Sequence, residues 1–303
     1  MYFCEMKGSI PHIVQYQGSK RKLAPQILSY FPQRFNRLIE PFAGMAAVSI
    51  AAAKEHRCSR FFINDLNAPL LGILREAVNN PDKIVSDYTA IWEEQFRYEA
   101  GPEAHYYHIR ERFNNGEKDP SMMLYILARC VKGAVRYGSN GRFNQSPDKR
   151  RNGTNPLTLK KNVAGVSQLL RGKSEFYAMD YREVLDMAVA GDVVYLDPPY
   201  QGVCTGRDSR YYSGIVFNEF VEALDRLNSR NVDYIVSYDG FCGNKSYGEV
   251  LPDDLGLTLS YLNAGLSTQS LFNGAKVETR EALYVSRNLV KSRVVLQPAL
   301  PLF

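Results

Sequence analysis

Val193-Val194-Tyr195-Leu196-Asp197-Pro198-Pro199-Tyr200 decides the fold: four apolar residues run into a carboxylate, two prolines and an aromatic ring. The apolar run suits a strand covered on both faces, as in a parallel sheet. Proline, which has no N–H to give the ladder, ends it. Upstream, residues 37–40 (RLIE) read as a strand end, 45–54 (MAAVSIAAAK) as a helix, 61–63 (FFI) as the next strand and 69–78 as helix. Alternation resumes with strand character at 176–177, then the quoted run, a helix at 218–228 and a strand at 234–237. Residues 257–261 and 282–286 are expected to close the sheet. Such alternation predicts an α/β core, a parallel sheet covered by helices. Between about 81 and 170 it stops, and helical stretches lead into a Gly-, Asn-, Ser- and Arg-rich segment at 133–155. Residues 1–80 and 171–303 are therefore expected to form one core, and 81–170 a mainly helical domain inserted into it.

The 303 residues carry a net charge of +5, and its distribution matters more than its size. From Lys132 to Lys161 eight basic residues stand against one acid, Asp148, so this segment carries +7 and the rest of the chain is acidic. Local positive charge of this kind suits a phosphate-bearing partner. No apolar run approaches the roughly 18 residues that span a bilayer, so no membrane partner is expected. The opening residues lack the pattern of a secretion signal. Five cysteines without a CxxC pair argue against disulfides and zinc, and for a reducing, cytoplasmic setting.

The chemistry is read first from Asp197 and Pro198. An adenine amino nitrogen is a weak nucleophile because its lone pair is delocalised into the ring. A carboxylate and a backbone carbonyl that accept its two hydrogens hold it nearer tetrahedral geometry, and the prolines stiffen that arrangement. Tyr200 can stack on a base flipped out of the helix. The second signal is Glu40-Pro41-Phe42-Ala43-Gly44-Met45-Ala46, a strand running through a small-residue turn into a helix. Glycine there lets the backbone approach a ligand at a strand-to-helix crossover. About twenty residues on, Asn64-Asp65 places a carboxylate where it can bind ribose hydroxyls. The third is Gln15–Lys20 (QYQGSK), which sets an aromatic ring, Tyr16, and a lysine, Lys20, around a glycine turn.

Together these stretches resemble the alpha group of N6-adenine DNA methyltransferases, the Dam-like family, in order and from about Val14 to Asn288. The resemblance implies a Rossmann-like S-adenosylmethionine-dependent core with an inserted, mainly helical target-recognition domain. It also implies site-specific transfer of the methyl group to adenine N6 in double-stranded DNA, without a metal. By that likeness Tyr16, Lys20, Glu40, Phe42, Gly44, Asp65, Asp180, Tyr181 and Asp197 would bind S-adenosylmethionine, and Asp197, Pro198 and Tyr200 would act on the base. Arg136-Tyr137 with Gly141-Arg142-Phe143-Asn144 resembles a hairpin that the family presses into DNA. Glu278…Glu281-Ala282-Leu283-Tyr284…Asn288 resembles its closing strand. Where the family has a second glycine this chain has Ala46, and Tyr16 stands for the usual tryptophan. Lys149-Arg150-Arg151 has no counterpart in the family pattern and is assigned to DNA on charge alone. The same holds for Arg207 and Arg210, in a segment (201–214) expected to close over the flipped base. A monomer acting on DNA is expected, with any companion restriction endonuclease encoded separately.

Two other readings stay open on sequence alone: a related amino-group methyltransferase for RNA or protein, and a silent DNA-binding module. His105 and His108 are expected on a surface helix without a metal, Trp92 in the core, and Tyr238-Asp239 at a turn or lining the base pocket.

Overall fold

The computed structural model describes residues 9–199, 215–242, 245–246, 249–266 and 278–290. Tyr200, Arg207 and Arg210 lie outside them, as does the whole of the expected closing segment, 201–214. The described strands are β1 (Leu38–Glu40), β2 (Phe61–Asn64), β3 (Ser174–Tyr177), β4 (Val193–Leu196), β5 (Asp233–Cys242), β6 (Lys245–Ser246), β7 (Thr258–Leu266) and β8 (Glu278–Val285). The helices are α1 (Ala24–Leu28), α2 (Ala47–Lys54), α3 (Ala68–Asn79), α4 (Pro81–Glu94), α5 (Gly101–Arg112), α6 (Pro120–Arg129), α7 (Pro156–Leu170), α8 (Tyr181–Asp186) and α9 (Phe217–Ser229). The main sheet runs β3-β2-β1-β4-β5-β8-β7, with the two-residue β6 on β5. β1 to β5 pair in parallel, and β8 lies antiparallel to both β5 and β7.

β1, β2 and β4 are buried on both faces, which is why they read as apolar runs, whereas β3 at the sheet edge is only partly buried. Leu38, Phe61, Ile63, Val193, Tyr195 and Ile235 pack to one side with the helices α1 to α7. Ile39, Phe62, Val194, Leu196, Tyr234 and Val236 pack to the other with α8 and α9. On α9 the buried residues Phe220, Ala223, Leu224 and Leu227 recur at helical spacing and form one stripe. Fully burying each large apolar side chain contributes about 1.5–3 kcal/mol. These two layers fix the sheet and hence the loops at its edges. The α/β class expected from sequence is observed, and the sheet is parallel as expected over β1 to β5 but antiparallel at β8 and β7. β5, β7 and β8 reach further than their apolar runs because pairing partners extend them.

Residues 81–170 fall inside the crossover from β2 to β3, and their helices share one buried apolar cluster with α2 and α3. Trp92 is partly buried against this cluster and packs edge-on to Phe96. The expectation of a surface helix for His105 and His108 is corrected. His105 is fully buried and its Nδ1 lies 2.9 Å from the Tyr125 hydroxyl, while His108 is exposed. The helix turns His105 into the same stripe as Tyr106 and Ile109, and its apolar ring faces are tolerated there once a nitrogen has a partner. No described helix is long and apolar enough to cross a membrane.

Candidate active site

The chain leaves β1 towards β2 on one side, while β4 follows on the other. In open parallel sheets the crevice beyond such a switch in strand order is the ligand site. Here it holds a cavity of about 360 Å³, whose wall includes Tyr16, Lys20, Phe42, Gly44, Asp65, Asp180, Tyr181, Asp197 and Pro198. Those nine residues were singled out from sequence, and the fold brings them together. Leu66, Asn67, Val135, Tyr137, Met179 and Glu219 also line it and were not assigned to it beforehand.

The turn after β1 is held by side-chain bonds from β2. Asp65 accepts the Gly44 amide at Oδ2 (2.8 Å) and the Asn67 amide at Oδ1 (2.9 Å). A carboxylate offers about four lone-pair sites, so two backbone donors leave acceptors over. Asn64 donates to the carbonyls of Pro41 and Met179 and accepts the Met179 amide, joining the turns that follow β1 and β3. Gly44 has φ +52°, and a Cβ there would come within 2.9 Å of the Tyr16 ring. Glycine is therefore needed for conformation and for space. Ala46, where the family pattern has glycine, also has a positive φ of 51°. Across the cavity, the Phe42 and Tyr181 rings lie 5.2 Å apart. Asp180 caps α8 and pairs with Arg182 at 2.8 Å, and that hydrogen-bonded guanidinium holds its carboxyl below the usual range.

At the end of β4, Asp197 Oδ1 accepts the Lys20 ammonium at 2.8 Å. The same Nζ lies 2.9 Å from Glu281 Oε1 on β8, and that oxygen also accepts the Ser237 hydroxyl of β5 at 2.7 Å. One buried lysine thus joins two carboxylates. Burial pushes the Asp197 carboxyl above its ordinary value; Lys20 opposes this and the like charge of Glu281 adds to it.

Glu40 was grouped with the cofactor residues, but it is not part of the cavity wall. Its side chain lies 2% exposed below the turn, where Oε1 accepts the Ser49 amide in the first turns of α2 and Oε2 has no hydrogen-bond partner among the described residues. Burial raises its carboxyl to about 8. With the folded value above the unfolded one, the folded state keeps a proton that the unfolded chain releases. Stability therefore falls as pH rises from about 4.5 to about 8. The cost above that window is on the order of a few kcal/mol, at about 1.4 kcal/mol per pH unit. Glu40→Gln is expected to raise the melting temperature by several degrees at pH 8.5 and hardly at all at pH 5. Equal shifts at the two pH values in a thermal scan would show that ionisation is not the cause.

The residues assigned to DNA divide by orientation. Arg136 to Asn144 forms a tight hairpin, with a bridge between Tyr137 and Phe143 and a turn through Gly141 at φ +71°. Strand alternation leaves Arg136 and Asn144 exposed and turns Tyr137 and Phe143 inward. Tyr137 is 8% exposed, its hydroxyl donates to Asn67 Oδ1, and its ring serves the cavity wall, not the outer surface as its motif suggested. Arg142 pairs with Glu111 at 2.6 Å. Of the basic triplet, Lys149 is exposed and 3.1 Å from Glu103, and Arg150 is exposed beside Asp148. Arg151 is bound within the fold, to Asp148 and to the Gln15 side chain at 2.6 Å. The start of the basic segment packs closely on residues 15–20, the N-terminal strap that carries Tyr16 and Lys20: the Gln17 amide donates to the Gly133 carbonyl, and a Cβ at Gly133 would collide with the Gln15 carbonyl. Tyr238 is buried at 1% exposure, within the apolar layer under α9. Sequence reasoning placed Glu281 on the closing strand and gave it no role. Its only signal was a charge directly before the apolar run Ala282–Val285 of that strand.

Residues 16–261 match the family model of D12 class N6 adenine-specific DNA methyltransferases. The DNA N-6-adenine-methyltransferase of Escherichia phage P1 is 28% identical over 237 residues, 75% of this chain and 30% of the phage protein. The retron Ec67 DNA adenine methylase of Escherichia coli is 28% identical over 199 residues, covering 64% of this chain and 65% of that one. The type II methyltransferase M.MjaIII of Methanocaldococcus jannaschii is 24% identical over 256 residues, 75% and 88% of the two chains. The match thus spans less than two thirds of the phage and retron proteins. With its model covering the strap at Tyr16, the Gly44 turn, Asp197 and the first residues of β7, the chain belongs to the D12 class N6 adenine-specific DNA methyltransferase family.

Proposed function

We propose that the chain transfers a methyl group from S-adenosylmethionine to the N6 amino group of adenine in double-stranded DNA. The observation that carries this reading is the placement of Asp197, at the end of β4, on the wall of the cavity that Gly44 and Asp65 also line. The cavity residues suit a nucleoside bearing an amino-acid tail. Phe42 and Tyr181 offer ring faces, Asp65 and Asp180 acceptors, and the missing Cβ at Gly44 room beside Tyr16. Bound there, S-adenosylmethionine supplies an electrophilic methyl on a positive sulfonium and leaves as the neutral thioether. Asp197 and the Pro198 carbonyl accept the two amino hydrogens and direct the nitrogen lone pair at the methyl carbon. One of those protons must leave once the nitrogen has gained its methyl, and the raised proton affinity of Asp197 suits it to accept that proton. Tyr200, outside the described residues, is proposed to stack on the flipped base. Incubating plasmid DNA with the protein and labelled cofactor, then sequencing for modified adenines, tests this; unmodified adenines in a folded preparation overturn it.

Residues 81–170 are proposed as the target-recognition part, with Arg136, Arg142, Asn144, Lys149 and Arg150 facing the duplex. Arg207 and Arg210 would lie near the backbone. In this reading the protein binds as a monomer, and any endonuclease partner is separate. Because Arg151 is engaged within the fold, the expected phosphate contacts of the triplet are Lys149 and Arg150 alone. Changing both to Gln should flatten the slope of log affinity against log salt by roughly 0.9 per lost contact. Cofactor affinity should be unchanged. An unaltered slope in fluorescence-anisotropy titrations would return these side chains to the solvent.

A further inference from the structure

Lys20 holds two carboxylates at nearly equal distance, 2.8 Å to Asp197 and 2.9 Å to Glu281. Only the first has a part in the chemistry proposed above. Glu281 stands in β8, the antiparallel neighbour of β5, and the Ser237 hydroxyl of β5 fixes the same oxygen that faces the lysine. Lys20 and Glu281 are buried and the Asp197 side chain is 19% exposed, so solvent and salt screen the contacts only weakly. A buried charge at Glu281 carries a desolvation cost that an apolar residue there would avoid.

We infer that Glu281 is a positioning residue for methyl transfer: by sharing the Lys20 ammonium with Asp197 it prevents the lysine from pairing with the catalytic carboxylate alone. The inference rests on the role proposed for Asp197. A carboxylate bound to an undivided lysine is a weaker acceptor for the amino hydrogens and a weaker base for the proton released. With the positive charge divided between two partners, Asp197 keeps more acceptor strength while staying oriented. The described charged or titratable groups around the Asp197 carboxylate are Lys20 from the N-terminal strap, Glu281 from β8, Glu40 from β1 and Tyr195 on β4 itself. Glu281 adds negative potential and Lys20 opposes it, while Glu40, which keeps its proton up to about 8, adds none at lower pH. Removing the charge of Glu281 must therefore favour ionised Asp197 and lower its titration point.

The test uses Glu281→Gln in the full chain, since the amide oxygen still accepts from Ser237 and Lys20. With the carboxyl carbons of aspartate labelled, and Asp197 assigned by its absence in Asp197→Asn, carbon NMR follows the titration in the free protein. The titration is expected to move about half a pH unit or more to lower pH. The acid limb of kcat should move with it, and the plateau kcat should fall several-fold while KM for DNA and for cofactor stays within about twofold, because ground-state binding is untouched. Glu281→Asp, which restores the charge, should return the limb towards its original position. If Glu281→Gln proves too unstable, Ser237→Ala loosens the same oxygen and should shift the titration in the same direction by less. An unmoved titration, or a loss of activity that follows KM and melting temperature together, overturns the inference. The NMR titration needs no turnover, so the two failures are distinguishable: absent methylation in the unaltered protein refutes the proposed function and this inference with it, whereas an unmoved titration beside normal methylation refutes this inference alone.

Discussion

Asp197→Ala should lower methyl transfer by a factor of about 10²–10³ or more while the protein still folds and binds its duplex. The magnitude follows from removing a preorganised acceptor aimed at the reacting nitrogen, a loss comparable to deleting one oxyanion-hole donor. Duplex binding should survive, because the phosphate contacts proposed for Arg136, Arg142, Lys149 and Arg150 would supply most of it. The same reasoning fixes the pH dependence of the unaltered enzyme. The active form is the carboxylate, so activity is lost as pH falls through the Asp197 titration. Burial raises that value, so the loss should begin above the ordinary aspartate range near 3.9. Single-turnover rates measured across pH, with duplex affinity measured alongside, decide the matter. Near-normal turnover of Asp197→Ala would remove the residue from the mechanism.

A second large effect is expected from Lys20→Met. The change leaves Asp197 and Glu281 facing one another in a buried site with no cation between them. Breaking a buried charge pair by deleting one partner costs about 3–5 kcal/mol, because the charges that remain are uncompensated. The loss should show in urea denaturation as a lower midpoint with an unchanged slope. Adding Glu281→Gln to Lys20→Met removes one of the two stranded charges and should recover a large part of the lost stability. Glu281→Gln alone should cost much less than Lys20→Met. The double-mutant cycle should therefore give a coupling of at least about 1 kcal/mol. Additive losses would mean that the three side chains do not act as a unit. Activity should stay low in the double variant, since Asp197 has lost the ammonium that orients it.

The sequence by itself determined the core. The run at 193–196 is β4 to the residue, since a strand buried on both faces needs apolar side chains at every position. The small-residue turn after β1 and the pair Asn64-Asp65 were legible for a similar reason. Close backbone approach demands glycine, and a carboxylate beside a turn has amides within reach. These requirements are local, and a few adjacent residues carry them.

Tertiary structure alone decided which distant groups meet. Lys20 and Asp197 are 177 positions apart, and Glu281 reaches the lysine only because β8 inserts antiparallel beside β5. No local pattern contains that strand order. The inward turn of Tyr137, the burial of His105 and the diversion of Arg151 to Gln15 have the same origin. A tyrosine, histidine or arginine is compatible with surface and interior alike. What decides is whether the packed neighbour offers a partner for its polar atom: Asn67 for Tyr137, Tyr125 for His105, and Asp148 with Gln15 for Arg151.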